Sequence, residues 1–170
     1  MSETETLSPV LPDEIDRAAR RVLEIACDRN LSLATAESCT GGLLASLLTD
    51  VEGVSGAFER GYVVYSKDAK CELLHIARDT VDRCGAVSKE VAIAMAEGAL
   101  AASRADAALS ITGFAGPGGA GDEPGLVHFG CARTGRPTAH REEHFGDIGR
   151  GPTRIECMRV ALAMLEEALA

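Results

Sequence analysis

The chain has no tryptophan, and only two tyrosines and four phenylalanines among its 170 residues. Aromatics usually supply the largest buried areas, so the core must instead be aliphatic and alanine-rich, with small side chains packed closely. No apolar run approaches the ~18 residues of a membrane-spanning helix. The opening Met1-Ser2-Glu3-Thr4-Glu5 is acidic and has no apolar stretch of the kind a secretory signal carries. Positive charge is also in short supply: 17 Lys and Arg stand against 26 Asp and Glu, a net charge of −9. That balance repels polyphosphate backbones and argues against direct nucleic-acid binding, though it allows a local cationic pocket for a small anion. The six cysteines (27, 39, 71, 84, 131, 157) include no CxxC pair, and the four histidines (75, 128, 140, 144) form no ligand-spaced set with them. A disulfide framework and a zinc site are both disfavoured, and reduced thiols in a cytoplasmic chain fit the pattern.

What is present points to one globular domain, since hydrophobic content is 46% and the length allows a real core. Residues 1–11 are expected to form a flexible tail, with the domain over 12–170. Pro12-Asp13-Glu14 opens a helix with Ile15, Ala19, Val22 and Ala26 inward and Asn30 as its stop. Leu31-Ser32-Leu33-Ala34 reads as a buried strand and the leucines of 43–48 as a helix. A strand follows over 58–65, Ser66 caps a short helix over 67–75, and 76–86 reads as a loop. Ser88 caps a helix whose inner face (Val91, Ala94, Met95, Gly98, Ala99, Ala102) is small enough to pack tightly on a sheet. A strand over 106–111, a glycine-rich loop, a strand pair turning at Thr134-Gly135-Arg136-Pro137 and a helix from Pro152 complete the chain. Strands alternating with helices, then a strand pair, indicate an α/β fold: a three-layer α/β/α sandwich with a mixed β-sheet.

The stretch Glu37-Ser38-Cys39-Thr40-Gly41-Gly42 falls at a strand-to-helix turn, where α/β proteins place ligands because free N–H groups point outward. An ordinary cap at Thr40 or Ser38, with glycine turning the corner, accounts for the same residues. Ser38 needs a base to act as a nucleophile, and a Ser–Lys arrangement is one solution. Cys39 is the competing nucleophile, helped by the helix N-terminus, and Glu37 is either a positioning carboxylate or a first-turn charge. Tyr65 and Lys70 occupy the two positions of a staple around the Ser66 cap. They are either a proton-handling pair, with Lys67 and burial lowering the Lys70 pKa, or a ring packed on an alkyl stem. Their spacing is Tyr-x4-Lys, which is not the Tyr-x3-Lys of short-chain dehydrogenases. Gly116-Pro117-Gly118-Gly119-Ala120-Gly121 matches GxGxxG, but a strand follows it where a nucleotide site needs a helix, so a Rossmann site is rejected. Thr112, just before that loop, is placed to meet a ligand or is simply a strand residue. Arg150 and Arg154 flank the start of the last helix. There a cation opposes the dipole at ~0.3–1 kcal/mol, and a bridging anion would reverse the cost. Both side chains extending into water is the alternative.

Taken together these residues resemble the C-terminal domain of the competence/damage-inducible CinA proteins, a family that includes stand-alone nicotinamide-nucleotide amidohydrolases. The matching runs are residues 35–42 (TAESCTGG), Thr49-Asp50, Gly53 with Ser55, Phe58-Glu59-Arg60-Gly61, and Tyr65-Ser66 with Lys70. They continue through Gly85-Ala86-Val87-Ser88, Met95-Ala96-Glu97-Gly98, Thr112-Gly113 with Ala115-Gly116-Pro117, and the late Arg150 and Arg154. The resemblance implies hydrolysis of nicotinamide mononucleotide to nicotinate mononucleotide and ammonia, with no metal and no cofactor, in a cytoplasmic homo-oligomer serving pyridine-nucleotide salvage. It implies Ser38 as nucleophile, with Ser55 left open as the alternative, and Lys70 assisted by Tyr65 as base. Glu37, Cys39, Thr40, Gly41, Gly42, Ser55, Thr112 and Gly113 would shape or bind the substrate end, with an oxyanion hole in the N–H groups of 39–42. Arg150 and Arg154 would hold the phosphate. The family's Tyr-Ser-Asn is here Tyr65-Ser66-Lys67, its Lys-Pro is Glu123-Pro124, and its Gly-Asp before the first late Arg is Ile148-Gly149. These departures leave a second reading, a weakly active or inactive nucleotide-binding module. The family name alone suggests a third, an interaction protein of DNA uptake or damage response. The N-terminal domain of full-length members is expected to be absent from a chain this short.

Overall fold

The computed structural model describes residues 11–170. The expected tail lies outside these residues except for Leu11, which packs against the core. Helix α1 (Asp13–Asp28) leads to strand β1 (Leu33–Glu37) and helix α2 (Leu43–Thr49). A 3₁₀ turn at Ser55–Ala57 precedes β2 (Phe58–Val63). Helices α3 (Lys67–Leu74), α4 (Arg78–Cys84) and α5 (Lys89–Ala101) follow, then β3 (Ala107–Gly113), the hairpin β4 (Leu126–Arg133) and β5 (Ala139–His144), and α6 (Arg150–Leu169). The strand order is β2-β1-β3-β4-β5. β1 runs parallel to β2 and β3, and β3, β4 and β5 are antiparallel. The sheet is mixed and carries helices on both faces, as the alternation of elements predicts.

Pleating assigns the residues to two cores. Leu33 of β1 and Ala107, Leu109 and Ile111 of β3 pack with α1, α2 and α6. Ala34, Ala36 and Ala108 pack with α3, α4 and α5. Small side chains let α5 press onto the sheet: the Ser110 hydroxyl donates to Ala92 O at 2.6 Å, and a Cβ on Gly130 would come within 2.5 Å of that carbonyl.

Several boundaries differ from expectation: β1 is shifted from 31–34 to Leu33–Glu37, β2 stops at Val63 where residue 65 was expected, and β3 runs on to Gly113, past residue 111. The segment 76–86 contains α4, whose seven residues bury Val81 and end at Gly85 with φ 84°. One buried apolar residue is too few to leave a periodic signal. The last helix begins at Arg150, two residues before Pro152. The α2 cap is not Thr40 or Ser38 but the left-handed Gly42, which makes no side-chain cap bond.

Candidate active site

The missing cap is supplied from the strand. Glu37 is the last residue of β1 and shares the parity of Leu33 and Thr35, so it points toward α2. Its fully buried carboxylate accepts from Leu44 N at 2.8 Å, Ala45 N at 2.9 Å and the Thr40 hydroxyl at 2.7 Å. One carboxylate thereby satisfies two orphan helix donors and sits at the positive end of the dipole. Gly41 and Gly42, at φ 62° and 98°, adopt the left-handed backbone the corner requires. Glu37, Thr40, Gly41 and Gly42 therefore build the turn and do not line the cleft beside it.

The next residue has the opposite parity. Ser38 turns toward α3, and its N–H donates to Ile111 O of β3 at 3.0 Å. Facing it is Lys70, placed on the inner side of α3 because Ser66 caps that helix through Ala69 N at 3.0 Å. Lys70 is 1% exposed. Its Nζ donates to Ser38 Oγ at 2.9 Å, Val64 O at 2.8 Å and Tyr65 O at 3.4 Å. Burial lowers its pKa from 10.5 to about 8, against the opposing pull of the Cys39 and Cys71 thiols. The neighbouring Lys67, expected to assist this shift, instead pairs with Asp82 at 3.5 Å. Nor do Tyr65 and Lys70 form a buried staple: the tyrosine is 70% exposed, and what reaches Lys70 is its carbonyl, not its phenol.

Ser38 and Lys70 lie in a cleft of about 270 Å³ with Cys39, Tyr65, Thr112, Arg150 and the 113–118 loop. The Thr112 hydroxyl donates to Ala86 O at 2.7 Å, which leaves its oxygen free to accept. Gly113 permits the close pairing of β3 with β4, since a Cβ there would meet Leu126 O at 2.7 Å. Arg150 reaches across the loop, its guanidinium 3.0 Å from where a Gly116 Cβ would stand. Arg154 Nε donates to Cys39 O at 2.9 Å and braces the turn from behind. Cys39 is 3% exposed and pairs with Cys157, which had no role in the sequence reading. That contact, then burial, holds the Cys157 thiol far above its ordinary value.

Ser55 is not brought to the cleft. It precedes β2, whose Phe58 pairs with Leu33 at the start of β1, whereas Ser38 follows the end of β1. Because β1 and β2 are parallel, the connection must return to the opposite end of the strands. The groups missed in the sequence, the carbonyls of Val64, Tyr65 and Ala86, are backbone atoms and carry no residue signature.

The CinA C-terminal domain family matches residues 15–169. The chain is 41% identical over 155 residues to an Escherichia coli (strain K12) protein named nicotinamide-nucleotide amidohydrolase PncC, covering 89% of this chain and 93% of that protein. It is 43% identical over 136 residues to a CinA-like protein of Leptospira borgpetersenii, covering 79% of this chain but only 32% of the relative. The chain thus spans about a third of the length of such relatives. Among solved structures, the competence/damage inducible protein CihA from Agrobacterium tumefaciens superposes with a TM-score of 0.91 at 42% identity, over 94% of this chain and 98% of that one. A CinA superfamily protein from Escherichia coli gives 0.84 at 33% identity, over 90% and 89%. In sequence and in backbone alike, the chain belongs to the CinA C-terminal domain family.

Proposed function

We propose that the chain is an amidohydrolase converting nicotinamide mononucleotide to nicotinate mononucleotide and ammonia, with Ser38 as nucleophile and Lys70 as base. The observation that carries this reading is the 2.9 Å contact between Lys70 Nζ and Ser38 Oγ in a largely buried cleft. The name of the E. coli relative supplies the substrate.

In the proposed reaction neutral Lys70 keeps two N–H bonds on the carbonyls of Val64 and Tyr65, which aims its lone pair at Ser38. It takes the hydroxyl proton as Oγ attacks the carboxamide carbon. The Cys39 N–H, which is not a donor in the turn's own backbone bonds, is our candidate donor to the oxyanion. The protonated Lys70 then gives its proton to the departing ammonia, leaving an ester on Ser38. Water, deprotonated by Lys70, cleaves that ester and restores the hydroxyl. The cleft is at the small end of ligand pockets, so it suits the pyridine carboxamide, with the ribose phosphate directed toward Arg150. Exposed Val63, Tyr65 and Leu73 support assembly as a homo-oligomer.

The reading of a weakly active binding module rested on Lys67 and Glu123. Lys67 pairs with Asp82 at 3.5 Å and Glu123 with His144 at 2.6 Å, and neither lines the cleft. Incubation with nicotinamide mononucleotide should release ammonia in proportion to enzyme, and Ser38→Ala should abolish it. No release at micromolar enzyme over hours would favour the binding module.

A further inference from the structure

We infer that the β4–β5 hairpin carries a divalent transition-metal site of the zinc class, formed by His128, His140 and Glu142. These residues show no ligand motif in sequence. The antiparallel register creates the cluster by pairing Gly130 with His140 and His128 with Glu142. All three side chains therefore leave the sheet on the face that α5 covers. His128 Nδ1 and His140 Nε2 are 3.1 Å apart, His128 Nδ1 and Glu142 Oε2 are 3.7 Å apart, and the three donor atoms lie within 4.8 Å of one another. Nitrogen and oxygen donors placed about 2.0–2.2 Å from one tetrahedral ion are separated by roughly 3.3 Å, close to these spacings.

The surroundings suit a cation. Burial holds both imidazoles below their ordinary pKa, with His140 lowered further by His128 and Lys89. The carboxylates of Glu142 and Glu90 act on both rings with the opposite sign. His144 Nε2 lies 2.9 Å from Glu142 Oε1, so one carboxylate oxygen is held by a histidine while the other faces His128. A partner outside the ligand set that fixes a ligand's orientation is a usual accompaniment of metal sites. Two imidazoles and a carboxylate match the donor set of an open zinc site with a fourth position for water. The site stands apart from the proposed chemistry but shares a wall with it, since His128 lies opposite Thr112 in the β3–β4 register. A bound ion would also tie edge strand β5 to β4.

The test is calorimetric titration of the tag-free, chelator-treated full chain with Zn²⁺, paired with Co²⁺ absorption to report ligand type. One ion per chain is expected, with a Co²⁺ spectrum free of thiolate bands and a raised melting temperature. His140→Ala and Glu142→Ala remove side chains outside the buried core, half-buried and exposed respectively, so the fold should persist by circular dichroism. Each should weaken binding at least about tenfold. Absence of binding, wild-type affinity in both variants, or thiolate bands from the cysteines would each overturn the assignment. In wild type without metal, the two rings would then simply share one hydrogen bond.

Discussion

Lys70 Nζ stands 2.9 Å from Ser38 Oγ across 32 residues of chain. Two independent features produce this contact. Strand parity turns Ser38 away from the face that Glu37 occupies, and the Ser66 cap sets the phase of α3 so that Lys70 points inward. The amine is buried, and its three hydrogens have three oxygen acceptors.

This arrangement dictates a pH profile. A base with a pKa of about 8 is mostly protonated at pH 7, so kcat/KM for nicotinamide mononucleotide should rise about tenfold per pH unit below that value and level off above it. Lys70→Met should lower the rate at least about a hundredfold and remove the inflection. A variant with wild-type rate would eliminate Lys70 as the base. Stability shifts in the same direction, over a higher pH range. Between about pH 8 and the ordinary 10.5 the unfolded chain binds more protons than the folded one. Burying this ammonium therefore costs about 3 kcal/mol below pH 8, and the cost fades as pH rises to 10.5. Lys70→Met should thus be at least as stable as wild type at pH 7 in urea denaturation, with the margin shrinking toward pH 10.

The two arginines should separate kinetically. Arg150 lines the cleft, so Arg150→Ala should raise KM for the nucleotide about tenfold, the loss of one charge-assisted bond. It should leave turnover of a phosphate-free pyridine carboxamide unchanged. Arg154 holds the Cys39 carbonyl, so Arg154→Ala should lower kcat for both substrates by disturbing the Ser38 turn. Equal effects of Arg150→Ala on both substrates would contradict a phosphate role.

Glu37→Gln is a test of the turn itself. The amide can keep acceptors for Leu44 N and Thr40, but it places an NH₂ against Ala45 N, which now donates to Oε2 at 2.9 Å. Folding stability should fall by about 1–3 kcal/mol, read as a shift in the denaturation midpoint with an unchanged slope. A midpoint equal to wild type would show that the carboxylate does not hold the helix.

Local chemistry made much of this legible in advance. Ser66 and Ser88 mark helix starts because a hydroxyl before an apolar periodic run satisfies orphan N–H groups, and both accept as expected. The run TAESCTGG announces a tight strand-to-helix corner because only glycine adopts its left-handed backbone without strain. By contrast, the sequence favoured Ser38 as nucleophile but left Ser55 open as the alternative. It offered a hydroxyl cap for α2 as one of two readings of the turn and scattered four histidines with no visible relation.

The amino-acid sequence by itself determined the family, the order of the strands and of every helix but α4, and the set of polar residues available for chemistry, because these rest on periodicity, capping and motif. Only the tertiary structure decided which of those residues meet. Parallel pairing of β1 with β2 leaves Ser55 at the opposite end of the strands from Ser38, pleat parity sends Glu37 and Ser38 to opposite faces, and hairpin register brings His128 and His140 to 3.1 Å. These are consequences of pairing between distant segments, which no local run of residues encodes.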